Sequence, residues 1–366
     1  MGADRIILII MAIFAAIGGI DLIFGDRLGL GQEFKKGILL MGQLFLSMSG
    51  MLVLAPFIAK LISPAVVPIF GLLGIDPAIF AGSLLACDMG GYSLAVELTN
   101  DPSAARLGGL IVSSMLGVTV TFTLPVAMGV ISKEDRGFAA KGLLCGIITL
   151  PVGMLAGGLA AGCSPLFVLK NSIPIIALSA FIALGLWKFE RVLIACFTAF
   201  GRIMTAVSTI GLIIATIQRL CGMTFISELT PLDEVFKIIG DIALVLAGAF
   251  PLMLIVTKLL RIPLNRLGSR IGVNEYSIKG LLTSLVNSIP AFDSLKDMDD
   301  RGKVINMAFS VSGAFVFGDH LAFTAGVDPS AIPALIVSKL TAGLCALLVA
   351  MLVTKKSTKK GRNTNV

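Results

Sequence analysis

Long apolar runs, each closed by a short polar or basic interval, set the pattern of this chain. Runs of roughly twenty residues, the length a helix needs to cross a bilayer, cover about 6–24, 38–60, 107–130, 142–162, 171–187, 203–221, 236–258, 304–326 and 332–354. They predict nine membrane-spanning helices. Two further apolar stretches, about 65–98 and 271–293, are interrupted, the first at Gly90-Gly91 and the second at Asn287-Ser288-Ile289-Pro290. Each could be a full span or a re-entrant hairpin. The runs are too long and unbroken for an outer-membrane barrel, whose strands alternate over about ten residues. The predicted fold class is an all-α polytopic membrane protein.

Charge separates the two topologies, because Lys and Arg accumulate in cytoplasmic loops. If both interrupted stretches re-enter, 22 of the 29 Lys and Arg residues fall on the cytoplasmic side and six outside, with Lys339 inside a span. If both cross, the split is about 15 against 13 and the bias disappears. The pattern therefore predicts two re-entrant helical hairpins, about 76–98 and 274–294, entering from opposite faces, with the N-terminus outside and the C-terminus inside. Asp4 and Arg5 do not make the positive leader of a cleaved signal, so the run after them is read as the first span. The net charge of +7 is then a matter of topology, and the expected partner is the lipid bilayer, with no nucleic acid. A charged fraction of 14% also excludes a soluble domain, for which about a quarter is usual. The six cysteines are scattered and read as small packing residues.

A constant shift of 198 residues lays Gly42 over Gly240, Gly50 over Gly248, Lys60 over Lys258, Gly82 over Gly280, Asp101 over Asp299 and Ser114 over Ser312. It also lays the Asp88 interruption over Val286–Pro290. The chain divides accordingly into a first repeat at 1–162, a linking span at 163–200, a second repeat at 201–354 and a basic cytoplasmic tail at 355–366. Four crossings in the first repeat plus the linking span make the second repeat inverted, an architecture of secondary transporters whose site lies near the midplane. Within 142–162, glycines at Gly-x-x-x-Gly spacing predict close helix packing.

Few polar residues sit at membrane depth, where an ionised group needs a partner, water or a ligand. Asp88 precedes Gly90-Gly91 and is read as a ligand-facing acid, or else as a locally paired acid in a glycine-kinked helix. Asn287 and Ser288 stand before Pro290, which cannot donate its own backbone bond, and could orient a hydroxylated ligand. His320 follows Asp319: the pair suggests a proton-sensitive cation site, while a histidine satisfied by a neighbouring carbonyl is the alternative. Lys339 needs a counter-ion, and Asp21, Asp88 and Asp319 are the candidates; a structural pair of Lys339 with Asp21 is one possibility. A lone histidine predicts no metal site, and no nucleotide, cofactor or catalytic motif is present in the sequence.

Phe80 to Gly91, Met298-Asp299-Asp300-Arg301-Gly302-Lys303-Val304-Ile305-Asn306 and Gly318-Asp319-His320-Leu321 together closely resemble the EutH family of bacterial ethanolamine permeases. The resemblance covers nearly the whole chain and includes Asn287-Ser288-Ile289-Pro290. It implies a transporter, not an enzyme, that takes protonated ethanolamine across the bacterial cytoplasmic membrane for catabolism. Asp88 and Asp319 would then meet the ammonium group, with Asn287, Ser288 and His320 near the hydroxyl. The alternative is a proton- or sodium-coupled transporter, or a channel, for another small cationic or polar metabolite. Two-hairpin repeats further suggest an elevator-type homodimer.

Overall fold

The computed structural model describes residues 2–354, so the tail expected at 355–366 lies outside the described residues. Those residues are helical, with no strand among them. In chain order the helices are α1 (Ala3–Ile23), α2 (Leu30–Leu72), α3 (Ala78–Leu84), α4 (Gly91–Leu98), α5 (Pro102–Val130), α6 (Arg136–Ala160), α7 (Pro165–Lys188), α8 (Glu190–Cys221), α9 (Leu232–Ile271), α10 (Glu275–Ser284), α11 (Ile289–Asp293), α12 (Asp300–Ser312), α13 (Asp319–Val327) and α14 (Ile332–Val353). Eight of them, α1, α2, α5 to α9 and α14 with its preceding turn, are long and apolar enough to cross a membrane. The chain is a multi-pass helical membrane protein.

One of the nine expected spans, 304–326, is not one helix. It divides into α12 and α13 around a non-helical stretch at 313–318. The backbone groups freed there are satisfied elsewhere, as membrane depth demands: Phe315 N–H donates to the Ser284 carbonyl (2.9 Å) and Phe317 N–H to that of Leu285 (2.8 Å). Phe315 takes φ +61°, a conformation bulky residues seldom adopt. A side chain at Gly318 would collide with the Val286 carbonyl, so the two interruptions touch backbone to backbone. Two other spans run longer than expected. α2 continues past residue 60 with Pro56, Pro64 and Pro68 inside it, and α9 reaches Ile271 through Pro251 and Pro263.

Helices α3 and α4, of 7 and 8 residues, rise only about 10–12 Å each, far short of the roughly 30 Å hydrocarbon core. Thr99, just after α4, donates its hydroxyl to Asp76, just before α3 (2.9 Å). In the second half, Asn274 N–H donates to Asp299 (2.8 Å) and its side-chain amide to the Asp297 carbonyl (2.9 Å), so 274 meets 297–299 in the same way. Each interrupted stretch starts and finishes at one place.

Apart from α7, which packs on α6 and α8, the helices form two groups. α1, α2, α8 and α9 pack on one another through close backbone approaches: Gly50 of α2 leaves no room for a side chain against Ser208 of α8, nor Gly248 of α9 against Met11 of α1. The second group gathers α3 to α6 and α10 to α14. Here Gly142 and Gly146 of α6 lie on α12, and Gly153 and Gly157 on α14, which is the packing the Gly-x-x-x-Gly spacing suggests. Ion pairs tie this group at two loops: Arg106 of α5 to Asp328 before α14, and Lys303 of α12 to Asp135 before α6 (2.6 Å). Between Leu107 and Gly117, α5 widens to π-helical turns that are wholly buried.

Candidate functional site

A cavity of about 410 Å³ lies between the two helix groups. One wall is a face of α2 (Lys36, Leu40, Gln43, Leu44 and Ser47) with Phe250 of α9. The opposite wall is built from the interruptions themselves, by Ala86, Asp88 and Met89, by Val286, Asn287, Ile289 and Pro290, and by Phe315, Asp319 and His320, together with Val118 and Phe122 of α5. Asp88, Asn287, Asp319 and His320, from three separate stretches of sequence, all line it.

Each of these side chains is placed by a local backbone device. Residues 87–89 form a single tight turn that ends at Gly90, whose φ of +93° is accessible to glycine and strained for other residues. Gly91 N–H then returns to the Ala86 carbonyl (2.9 Å), and α4 starts with no space for a side chain at Gly91. Asp88 therefore projects from a turn whose backbone is fixed. Asp319 and His320 open α13, where the free N–H groups of a helix start favour negative charge. The His320 ring packs 5.2 Å from that of Phe315, which meets Phe122 edge to face at 5.5 Å. His320 is 2% exposed, and its Nδ1 finds no hydrogen-bond partner among the described residues. Asn287 accepts the Ile289 N–H through Oδ1 (2.9 Å), which leaves its amide nitrogen to donate. Ser288 is fully buried beside the cavity rather than in its lining, and its hydroxyl has no partner among the described residues.

The suggested pair of Lys339 with Asp21 is not formed. Asp21 accepts N–H groups from Leu28 (3.0 Å), Leu30 (2.9 Å) and Gly31 (3.1 Å), so it caps the start of α2 across the turn that follows α1. Lys339, fully buried on α14, donates to the Ser114 carbonyl in the π-helical part of α5. No carboxylate among the described residues is within ion-pair distance of it, yet it lies in electrostatic range of Cys87, Asp88 and His320. At the mouth of the first interrupted stretch, burial pushes the Asp76 carboxyl up from its ordinary value, against the Ala78 N–H and Thr99 hydroxyl that hold its charged form.

Sequence reasoning missed Cys87, Phe315 and the α2 face. The α2 face had a readable signal: Lys36, Gln43 and Ser47 recur at helical spacing within an otherwise apolar run. Cys87 looked like one more packing residue. Phe315 gave no signal, since its conformation follows from contacts between distant stretches.

The arrangement gathers two carboxylates, an amide and an imidazole in a small, mostly apolar chamber. Low-dielectric walls strengthen the hold of such acids on a cation, while the amide and imidazole can hydrogen-bond a neutral polar group. Residues 3–353 match the family described as "Ethanolamine utilisation protein, EutH". The chain is 51% identical to the "Probable ethanolamine permease EutH" of Listeria monocytogenes, over 94% of this chain and 92% of that one. It is 42% identical to the "Uncharacterized protein YxeR" of Bacillus subtilis (94% and 93%) and 40% identical to the "Probable ethanolamine permease EutH" of Salmonella typhimurium (94% and 93%). No solved structure matches it. Matched end to end by the family and at such identity by its named members, the chain belongs to the EutH family.

Proposed function

We propose that this protein is a permease carrying protonated ethanolamine across the bacterial plasma membrane, as the names of its relatives suggest. The observation that carries the reading is the convergence of Asp88, Asp319, Asn287 and His320 on one chamber between two helix groups. Ethanolammonium has a cationic end and a hydroxyl end. The two acids replace water around the ammonium, and the Asn287 amide and His320 meet the hydroxyl; Ser288 supports the turn from behind.

In this reading, 76–98 and 274–294 are re-entrant hairpins from opposite faces, with the N-terminus outside and the C-terminus inside. The joined ends of each stretch and the 22 to six charge split support it. Residues 1–162 and 201–354 are inverted repeats joined by 163–200, supported by the recurrence of helix order in the two halves. The group containing both hairpins slides as one body against α1, α2, α8 and α9, which hold a homodimer.

Counterflow in proteoliposomes tests the function. Vesicles preloaded with unlabelled ethanolamine at acidic pH should accumulate the labelled amine transiently above equilibrium. Uptake that merely dissipates a gradient would mean a channel, and no uptake above protein-free vesicles would overturn the substrate.

A further inference from the structure

We propose that Cys87, Asp88 and His320 form a binding site for a thiophilic divalent cation of the zinc class. The Cys87 sulfur, an Asp88 carboxylate oxygen and a His320 ring nitrogen all lie within 4.8 Å of one another. Around a tetrahedral zinc with bonds of about 2.0–2.3 Å, ligand atoms stand roughly 3.3–3.8 Å apart. Closing the triad therefore takes shifts of about an ångström at the ligand atoms. A second observation points to a ligand: His320 Nδ1 is buried and unpartnered among the described residues, the condition a metal bond relieves.

The donor set selects the cation. One thiolate, one imidazole and one carboxylate suit zinc or cadmium and are poor for calcium or magnesium, which want oxygen ligands. Three protein ligands leave a fourth position, and Asp88 and His320 face the cavity, so that position opens toward it. A divalent ion offsets the charges of the thiolate and the Asp88 carboxylate.

The site stands whatever small molecule the protein carries. It has a consequence for the carrier reading all the same, since a metal holding Asp88 takes away an acid assigned to the ammonium. Zinc should compete with the transported cation.

The test uses the full-length protein in nanodiscs with Co²⁺ as the probe. Cobalt should give intense tetrahedral visible bands and a near-ultraviolet thiolate charge-transfer band. Cys87→Ser should abolish the charge-transfer band, and His320→Gln should retain it while weakening Zn²⁺, measured against a chromogenic chelator, at least tenfold. Cys196→Ser and Cys221→Ser, at exposed positions on α8, should change neither. A charge-transfer band that survives in Cys87→Ser, or that vanishes in Cys196→Ser, would overturn the site. So would full zinc affinity in His320→Gln, a result that stands even if the Cys87 variant misfolds. Zinc bound at this triad with undiminished counterflow would overturn the competition, whereas failure of ethanolamine counterflow itself leaves the cobalt and zinc measurements untouched.

Discussion

Asp88 and Asp319 reach one cavity from opposite halves of the chain. Each acid was conspicuous in the sequence because an apolar context makes a charge expensive. Its partner was not legible, because depth along a span says nothing about which helix stands opposite. Asp21 shows the difference: the glycines at 25, 29 and 31 mark a turn whose N–H groups an upstream acid can cap, a local use that competes with any distant lysine. Asp88→Asn and Asp319→Asn should each weaken ethanolammonium binding by about 3–5 kcal/mol, the typical cost of breaking a buried ion pair. That is over a hundredfold in Kd, readable by competition with the labelled amine at acidic pH, with membrane insertion intact. For Lys339 the sign is opposite. Its ammonium donates to a single carbonyl and repels a second cation near Asp88, so Lys339→Met should lower both KM and the maximal rate as substrate binds more tightly and leaves more slowly. An unchanged KM with a lower melting temperature would make Lys339 a structural anchor between α14 and α5.

At the scale of elements, the two interruptions announced by Gly90-Gly91 and Ser288-Ile289-Pro290 were readable because glycine and proline change backbone physics locally. The third, at 313–318, was hidden in Gly-Ala-Phe-Val-Phe-Gly, apolar enough to pass for helix. Its reason is tertiary, since the carbonyls of Ser284 and Leu285 take the N–H groups that a helix would otherwise use. The π-helical widening of α5 is equally silent in sequence. One substitution tests how tightly the first interruption is specified. A methyl group at Gly91 would stand 2.6 Å from the Leu85 carbonyl and 2.7 Å from that of Ala86, both backbone atoms with little room to retreat. Gly91→Ala should therefore cost about 1–3 kcal/mol through overpacking and displace Asp88, seen as a lower melting temperature with lost uptake. Gly71→Ala, on α2 with nothing near the added carbon, should change neither.

For the molecule as a whole, the cavity wall contributed by α2 and α9 belongs to one helix group and the acids to the other. Relative sliding of the groups would carry the acids across the bilayer while the ion pairs Arg106–Asp328 and Lys303–Asp135 keep their own group intact. Cysteines replacing Leu40 and Ile289, which face the same cavity from the two groups, test this when bridged by a bifunctional thiol reagent, with Cys196 and Cys221 replaced by serine. Transport should stop on bridging and stay normal with either single cysteine under the same reagent. Full transport in the bridged protein would make the two groups a single rigid body. The crossing helices and their general order were legible from hydropathy; the division into two groups was not, because it depends on which glycine meets which neighbour.

The lengths of α2 and α9 carry a consequence for the lipid. At 43 and 40 residues they would extend about 60–65 Å, twice the hydrocarbon thickness. The surplus differs in kind: beyond Lys60, α2 continues with the exposed Leu61, Ile69 and Leu72, whereas beyond Lys258, α9 adds Arg261, Arg266 and Arg270. Leu259, Ile262 and Leu267 are exposed on α9 as well, so the α2 overhang is apolar and uncharged and the α9 overhang apolar and cationic. Neither can shorten, so a change in bilayer thickness must be met by tilt or by local deformation of the lipid. Turnover should then vary with acyl-chain length in reconstituted vesicles, and phosphatidylglycerol in the leaflet facing the α9 overhang should matter more than in the other. The membrane's own dimensions would then become a setting of turnover.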